Sequence, residues 1–164
     1  KIKGRLELAV IYDPSRQELF TAIRGMGSLL DGRKIRVSKQ TTLQGSLLGT
    51  GFPYREQSDW LEVYLDIFTD FTKIVGAIRR PGSAALDLAY VAAGRYDGFW
   101  EFGLKPWDVA AGVLLIQEAG GLVDNLIPDQ DPIDSGSLVC GTPKIFDAMK
   151  EVISKYNDRL EKLF

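Results

Sequence analysis

Two carboxylates, Glu101 and Asp108, stand seven residues apart in the stretch EFGLKPWD. Glu101 ends an aromatic run that is typical of a strand, and Asp108 follows Pro106 at the start of a long apolar helix. A strand end followed by a helix start brings both carboxylates to one rim of an α/β sheet, where such proteins bind ligands. Carboxylate oxygens favour a hard cation, so the predicted metal is Mg²⁺.

Each of these acids also has a purely structural interpretation. An acid in the first turn of a helix stabilises that helix, because the N–H groups there are free and the helix dipole favours negative charge. Glu101 has a similar alternative, a solvated acid at the end of a strand. One carboxylate holds Mg²⁺ poorly, so the metal hypothesis for Asp108 requires further ligands from elsewhere.

A third candidate group lies in the stretch RRPGSAALD. Gly82, Ser83 and Ala84 open a helix directly after a strand, where free N–H groups, a hydroxyl and small side chains allow a polar or anionic ligand to approach closely. The alternative is an ordinary serine-capped helix whose alanines serve close packing. Arg79 and Arg80 are candidates for pairing with phosphate or with a partner subunit, or are plain surface residues.

Composition excludes several classes of chemistry. The chain has no histidine, which rules out Ser-His-Asp and Cys-His catalysis within it and also the usual zinc sites. Its single cysteine, Cys140, has no partner for an internal disulfide and is expected to pack as a small apolar residue, so we expect a cytoplasmic protein. A net charge of −2 argues against strong direct nucleic-acid binding. Apolar runs are too short to cross a membrane, and the first residues do not resemble a signal peptide.

The order of elements predicts an α/β fold with a mixed, partly parallel sheet flanked by helices. The chain opens with alternating, strand-like segments to about residue 38 and then alternates strands with helices. We therefore divide it into residues 1–42, the remnant strands of an antiparallel sheet, and residues 43–164, an α/β domain. The opening strands are too few to close a sheet by themselves, which indicates a sheet that has been truncated.

Turn and cap residues give more local expectations. Asp13 in YDP and Asp31 in LDG are interpreted as turn residues rather than metal ligands, because each lies in a turn-prone dipeptide. Ser58 is the predicted N-cap of the first long helix. Residues 125–137 are expected to form an acidic surface loop, and residues 143–164 a closing amphipathic helix.

The segment from Pro81 to Val123, PGSAALDLAYVAAGRYDGFWEFGLKPWDVAAGVLLIQEAGGLV, closely resembles the second signature of the inositol monophosphatase family. The run WDVAAG, followed by EAGG, carries the resemblance together with the upstream GSA and Glu101. The similarity covers essentially the whole chain and is closest to the bacterial SuhB-like branch. It implies the C-terminal portion of a layered α-β-α-β-α sandwich.

The resemblance implies a Mg²⁺-dependent, Li⁺-sensitive phosphomonoesterase in which metal ions activate a water molecule. Asp108 would be a metal ligand and would also touch a sugar hydroxyl, and Glu101 would bind an inositol hydroxyl. Gly82, Ser83 and Ala84 would line the substrate pocket. No residue of this chain is assigned as catalytic. Inositol phosphates, other sugar phosphates and nucleotide phosphates all remain open as substrates.

The sequence departs from the family in one respect. The family's other metal ligands come from an earlier glutamate pair and an Asp-Pro-Leu/Ile-Asp-Gly-Thr motif, and neither stretch is present. We therefore expect the C-terminal part of such an enzyme, without appreciable phosphatase activity as an isolated chain.

The resemblance also supports a second kind of function. SuhB-like proteins are associated with bacterial transcription antitermination, which would make transcription elongation factors the partners. The family commonly forms homodimers, and the resemblance implies that Arg79 or Arg80 lies in the corresponding interface region.

Overall fold

The computed structural model describes residues 1–52, 60–127 and 130–163, which form two β-sheets and the helices between and beside them. The strands are β1 (Leu8–Asp13), β2 (Glu18–Ile23), β3 (Gly27–Leu30), β4 (Arg33–Ile35), β5 (Leu47–Thr50), β6 (Ala77–Arg79), β7 (Gly98–Glu101), β8 (Leu122–Asn125) and β9 (Leu138–Gly141). The helices are α1 (Leu61–Thr72), α2 (Ala84–Ala92), α3 (Pro106–Glu118), α4 (Pro132–Ser135), α5 (Pro143–Ser154) and α6 (Asn157–Leu160).

The first sheet is antiparallel, with its strands in the order β1-β2-β3-β4. Side chains of β1 alternate between exposed and buried, as the sequence pattern predicts for a strand with one face on the core. Asp31 and Gly32 both have positive φ, 50° and 75°, and make the tight turn between β3 and β4. The Asp13 carboxylate accepts the N–H groups of Ser15 and Arg16 in the turn after β1, and the Asp31 carboxylate accepts the N–H of Leu19 in β2. Both acids thus lie in turns, as predicted.

The second sheet is mixed, with the order β6-β5-β7-β9-β8. β5 runs parallel to both β6 and β7, while β9 is antiparallel to β7 and β8. The C-terminal ends of the three parallel strands therefore share one edge. Because α2 follows β6 and α3 follows β7, both helices begin at that same edge.

The elements stack in four layers: the antiparallel sheet, then α2 and α3, then the mixed sheet, and finally α1 and α5. One apolar core joins the first three layers, from Phe20 through Leu114 to Phe99, and a second core lies between the mixed sheet and the outer helices. The predicted mixed α/β architecture is thus confirmed. The division at residue 42 stays a prediction, since both sides contribute to the first core.

The C-terminal end of α3 is hydrogen-bonded to the antiparallel sheet. The Glu118 carboxylate accepts hydrogen bonds from the N–H groups of Gly25 and Gly27, each at 2.9 Å. Nearby, the Ser28 hydroxyl donates to the carbonyl oxygen of Leu115 at 2.7 Å. These contacts hold the turn between β2 and β3 against α3.

Two local expectations differ from the structure. The expected loop at 125–137 contains α4, because Pro132 begins a helical turn and the Asp131 carboxylate accepts from the Ile133 N–H at 2.7 Å. The closing helix is not continuous, since α5 ends at Ser154 and a separate turn, α6, follows. Between them the Tyr156 hydroxyl donates to Asp70 of α1 at 2.8 Å.

Two further expectations concern the first long helix and membrane spans. The helix begins at Leu61, and its predicted N-cap, Ser58, lies outside the described residues. Among the described residues, no helix is both long and apolar enough to cross a membrane.

Candidate functional site

The candidate site lies at the edge where the three parallel strands end. Glu101 is the last residue of β7, Gly51 directly follows β5, and Arg80 directly follows β6. Helix α2 begins at this edge after Gly82 and Ser83. The carboxyl ends of parallel strands are the usual ligand-binding position in α/β proteins.

Glu101 is a buried carboxyl group, with only 8% of the residue exposed. Burial, together with the negative charges of Asp87 and Asp108, raises the pKa of Glu101 to about 8, while the positive charge of Arg80 opposes this shift. A side chain at Gly51 would overlap the Glu101 carboxylate, so the glycine makes room for that group. At neutral pH Glu101 is therefore mostly protonated and can donate a hydrogen bond as well as accept one.

Asp108 lies in the first turn of α3 and is half-buried. One of its carboxylate oxygens accepts the N–H of Lys105 at 3.0 Å, which confirms the helix-capping interpretation. The negative charge of Asp108 raises the pKa of Glu101, so the two acids of the sequence motif interact electrostatically. Within the described part of the chain its other oxygen meets no hydrogen-bond donor, so a ligand can still use it.

The structure places Gly82, Ser83 and Ala84 at the entry to α2. Gly82 has a φ of 94°, in the region that favours glycine, and Ser83 is the N-cap residue. The Ser83 side chain makes no capping hydrogen bond, which disfavours the alternative of an ordinary serine cap. The Ser83 hydroxyl therefore does not cap the helix.

Asp87 is a site residue that the sequence reasoning missed. It lies in the first turn of α2, is only 1% exposed, and its charge acts on Glu101. Burial raises the pKa of Asp87 to about 7. Its Oδ1 has no hydrogen-bond partner among the described residues. The sequence does contain one indication of this role, because Asp87 is the single acid in the otherwise apolar, small-residue run AALDLAYVA.

A cation and an aromatic ring also lie at this edge, since Arg80 follows β6 and Phe52 follows β5 by two residues. The Arg80 guanidinium lies 5.1 Å from the centre of the Phe52 ring. Phe52 in turn packs edge-on against Tyr64, with ring centres 5.3 Å apart, and against Phe68 at 6.0 Å. Phe99, Trp100 and Phe102 are buried in the core.

The described residues do not make a complete metal site. No group of three or more acidic, histidine or cysteine side chains within residues 1–52, 60–127 and 130–163 is placed to hold a metal ion. Asp108 offers one free carboxylate oxygen, and Glu101 carries a proton at neutral pH. Mg²⁺ takes several oxygen ligands, so these residues alone do not fit it. Buried Cys140 is no substitute, because burial raises the pKa of its thiol.

A sequence profile of the inositol monophosphatase family matches residues 1–158. This chain belongs to the inositol monophosphatase family. The run Trp107–Gly112, which suggested the family from sequence, lies in the first half of α3, the helix that begins at the strand edge described above, and Glu101 ends β7 at that edge.

Curated relatives of this family member carry the name Nus factor SuhB. The protein from Pseudomonas aeruginosa is 54% identical over 157 residues, which cover 95% of this chain and 58% of the relative. The protein from Escherichia coli K12 is 49% identical over 149 residues, 91% of this chain and 55% of the relative. The chain thus spans somewhat more than half the length of these relatives, and its SuhB-like relationship is clear.

Solved structures of similar proteins have the same fold. The suhB protein of Bartonella henselae superposes with a TM-score of 0.88 at 40% identity, covering 93% of this chain and 58% of that one. Inositol monophosphatase from Anabaena sp. PCC 7120 superposes with a TM-score of 0.84 at 41% identity, covering 91% of this chain and 61% of that one.

Proposed function

We propose that this inositol monophosphatase family chain forms the substrate-binding part of a Mg²⁺-dependent phosphomonoesterase acting on inositol monophosphate or a related sugar phosphate. The observation that carries the proposal is the position of Glu101 and Asp108 beside the first turn of α2, at the shared edge of three parallel strands. This edge combines hydrogen-bonding groups for a polyol with helix N–H groups that favour an anion.

Glu101 would recognise a hydroxyl group of the sugar. Its raised pKa keeps it largely uncharged at neutral pH, so it does not repel a bound phosphate as an ionised carboxylate would. Gly82, Ser83 and Ala84 would line the pocket, with the uncommitted Ser83 hydroxyl as a further hydrogen-bonding group. Asp108 would offer its free oxygen to a metal ion or to a substrate hydroxyl.

Mg²⁺ would require ligands beyond those of this chain. The donor set described here is incomplete, and the named relatives are longer than the region they share with it. We propose that the remaining ligands belong to the part of the relatives that this chain does not span. The 164-residue chain alone would then lack phosphatase activity.

A chimera tests this function directly. The part of the Pseudomonas aeruginosa relative outside its match with this chain is joined to the chain, and phosphate release from inositol 1-phosphate is measured with and without Mg²⁺. We expect Mg²⁺-dependent release by the chimera and none by the chain alone. Asp108→Asn should lower kcat/KM of the chimera by about 100-fold or more, because it removes a charged metal ligand.

The matched control is Asp158→Asn, which changes an exposed acid in α6. It should leave kcat/KM unchanged. A folded chimera that releases no phosphate from inositol or other sugar phosphates would contradict the proposal. Turnover by the chain alone would instead show that its own residues complete the metal site.

A second candidate function is partner binding in bacterial transcription antitermination, with elongation factors as the partners. The relatives' name, Nus factor SuhB, favours it. A pulldown with the Asp108→Asn chimera separates the two roles. If this variant still captures elongation factors but no longer hydrolyses substrate, the partners bind a surface other than the candidate site. If it captures none, partner binding depends on the candidate site.

We also propose that the parent protein is a homodimer, on the strength of the family resemblance. Arg79 and Arg80 would lie at its interface, next to the candidate site.

A further inference from the structure

Two consecutive hydrogen bonds cross the core from α1 to the end of β7. The Thr50 hydroxyl, in the last residue of β5, donates to the carbonyl oxygen of Trp100 at 2.8 Å and lies 3.1 Å from the Tyr64 hydroxyl. A carbonyl oxygen only accepts, and a threonine hydroxyl has one proton to donate, so the Tyr64 phenol must donate to Thr50. Both bonds therefore have a fixed direction, from Tyr64 through Thr50 to Trp100.

These hydrogen bonds lie wholly inside the chain. Thr50, Tyr64 and Trp100 each have 0% of their surface exposed. Burial raises the pKa of Tyr64 to about 12, so at neutral pH its phenol keeps the proton that it donates. Because this chain by itself encloses all three residues, the bonds do not depend on what else contacts its surface.

The accepting carbonyl belongs to the peptide unit that begins Glu101, and Thr50 lies opposite Trp100 in the parallel pairing of β5 with β7. A peptide unit is planar, so a bond to the Trp100 oxygen also orients the N–H and the Cα of Glu101. The residue after Thr50, Gly51, makes room for the Glu101 carboxyl group, which a side chain there would overlap. The end of β5 thus contacts both the backbone and the carboxyl group of this acid.

We propose that Thr50 and Tyr64 are positioning residues for substrate binding, which orient the peptide unit before Glu101 and so hold its carboxyl group at the strand edge. This inference rests on the role proposed for Glu101, binding a hydroxyl group of the substrate. Thr50 and Tyr64 act through Glu101, since they are themselves enclosed in the core. A purely structural role would change only the stability of the fold.

The chimera with the Pseudomonas aeruginosa relative tests this role by steady-state kinetics on inositol 1-phosphate. Thr50→Val keeps the shape of the side chain and removes its hydroxyl, and Tyr64→Phe removes only the phenolic donor. We expect KM to rise about tenfold in Thr50→Val and about threefold in Tyr64→Phe, with kcat changed by less than about twofold. Thr50→Ser keeps the hydroxyl and should restore KM.

The matched control is Thr142→Val. Thr142 is also buried, and its hydroxyl donates to the carbonyl oxygen of Gln40 at 3.0 Å. It follows Gly141, which pairs with Gly98 at the start of β7, so it lies at the opposite edge of the same sheet. Urea unfolding should show a loss of stability similar to that of Thr50→Val, while KM should stay unchanged.

A double-mutant cycle tests whether Thr50 acts through Glu101. In a Glu101→Ala background the carboxyl group is already absent, so Thr50→Val should change KM little further. Equal effects of Thr50→Val with and without the Glu101 carboxyl group would contradict the positioning role.

A second measurement requires no turnover. The carboxyl ¹³C resonance of Glu101 reports its titration by NMR, and the charges of Asp87, Asp108 and Arg80 act on the same group. Thr50→Val should free the carboxyl group to move toward water and lower its pKa from about 8 toward that of an ordinary glutamate, while the control variant should not. A chimera without turnover would contradict the proposed function, and the titration would still test the positioning.

Two results would overturn the proposal. One is an unchanged KM together with an unchanged Glu101 pKa in the folded variants Thr50→Val and Tyr64→Phe. The other is an equal rise of KM in Thr142→Val, which would indicate a general loosening of the sheet. If Thr50→Val does not fold, Tyr64→Phe carries the same comparison.

Discussion

Asp87 and Glu101 are buried carboxyl groups on neighbouring elements, and the charge of one raises the pKa of the other. Neither has a cation close enough to form an ion pair in the described structure. Interior carboxyl groups of this kind oppose folding when they ionise, because water no longer solvates the charge. Both acids lie at the strand edge where we place the substrate. This agrees with the general tendency of acids with strongly shifted pKa values to occur at functional sites.

The raised pKa of Asp87 predicts a dependence of stability on pH. Its pKa rises from an ordinary 3.8 to about 7 in the folded chain, so between these values the folded state holds a proton that the unfolded state has released. The free energy of unfolding should therefore fall as the pH rises from about 4 to about 7.

Asp87→Asn should reduce that fall. One pKa unit corresponds to about 1.4 kcal/mol, and partial solvation lowers the total, so we expect a gain of about 2 kcal/mol at pH 8 relative to the unchanged chain. Urea unfolding at several pH values measures it. The control is Glu161→Gln, which changes an exposed acid; an equal pH dependence in Asp87→Asn and in this control would refute the assignment.

Gly51 gives a second prediction at this scale. Gly51→Ala should cost about 1–3 kcal/mol, because the added methyl group overlaps the Glu101 carboxylate and forces it to move. The double variant Gly51→Ala/Glu101→Ala should be less destabilised than the sum of the two single variants. Additive losses in a double-mutant cycle would show that the methyl group clashes with something else.

Part of the candidate site was predictable from sequence. Glu101 and Asp108 were identified because a strand end and a helix start separated by a few residues bring their side chains to one rim. Asp87 and Gly51 were not, because their importance depends on contacts between distant segments. Nothing in the local sequence shows that the glycine after β5 lies against the last residue of β7.

Helix α3 connects the site to the antiparallel sheet. Asp108 lies in its first turn, and Glu118 in its last turn holds the N–H groups of Gly25 and Gly27. Gly112 in its middle lies so close to Leu88 that a side chain there would overlap it, which fixes α3 against α2. The position of Asp108 thus depends on contacts along the whole helix.

Removing the anchor at the end of α3 should loosen the hairpin. Glu118→Ala leaves two N–H groups without their acceptor and should cost about 1–2 kcal/mol. Amide hydrogen exchange at Gly25 and Gly27 should accelerate, while Glu151→Ala, an exposed acid on α5, should alter neither quantity. Unchanged exchange at both glycines would mean that other contacts hold the turn.

Regular elements were predictable where their pattern is long. The alternation of β1 and the apolar, proline-started α3 both appeared as expected. Short or tertiary-dependent features were not predictable in the same way. The single turn α4 depends on the Asp131 cap, and the interruption after α5 coincides with the Tyr156–Asp70 contact, which joins residues far apart in the chain.

At the scale of the molecule, α2 and α3 form the central layer of the first apolar core. α2 and α3 are covered on both sides, by the antiparallel sheet and by the mixed sheet. The outer face of the antiparallel sheet is the exception, with exposed Leu8, Val10 and Tyr12.

The anchoring of α3 at both ends has a consequence for how this family member can vary. Each residue added to an α-helix rotates everything beyond it by about 100° and shifts it by about 1.5 Å. A single insertion between Asp108 and Glu118 would therefore either turn the carboxylate away from Glu101 or pull the anchor off the hairpin. The number of residues in this helix is as much a requirement of the site as the acid at its start.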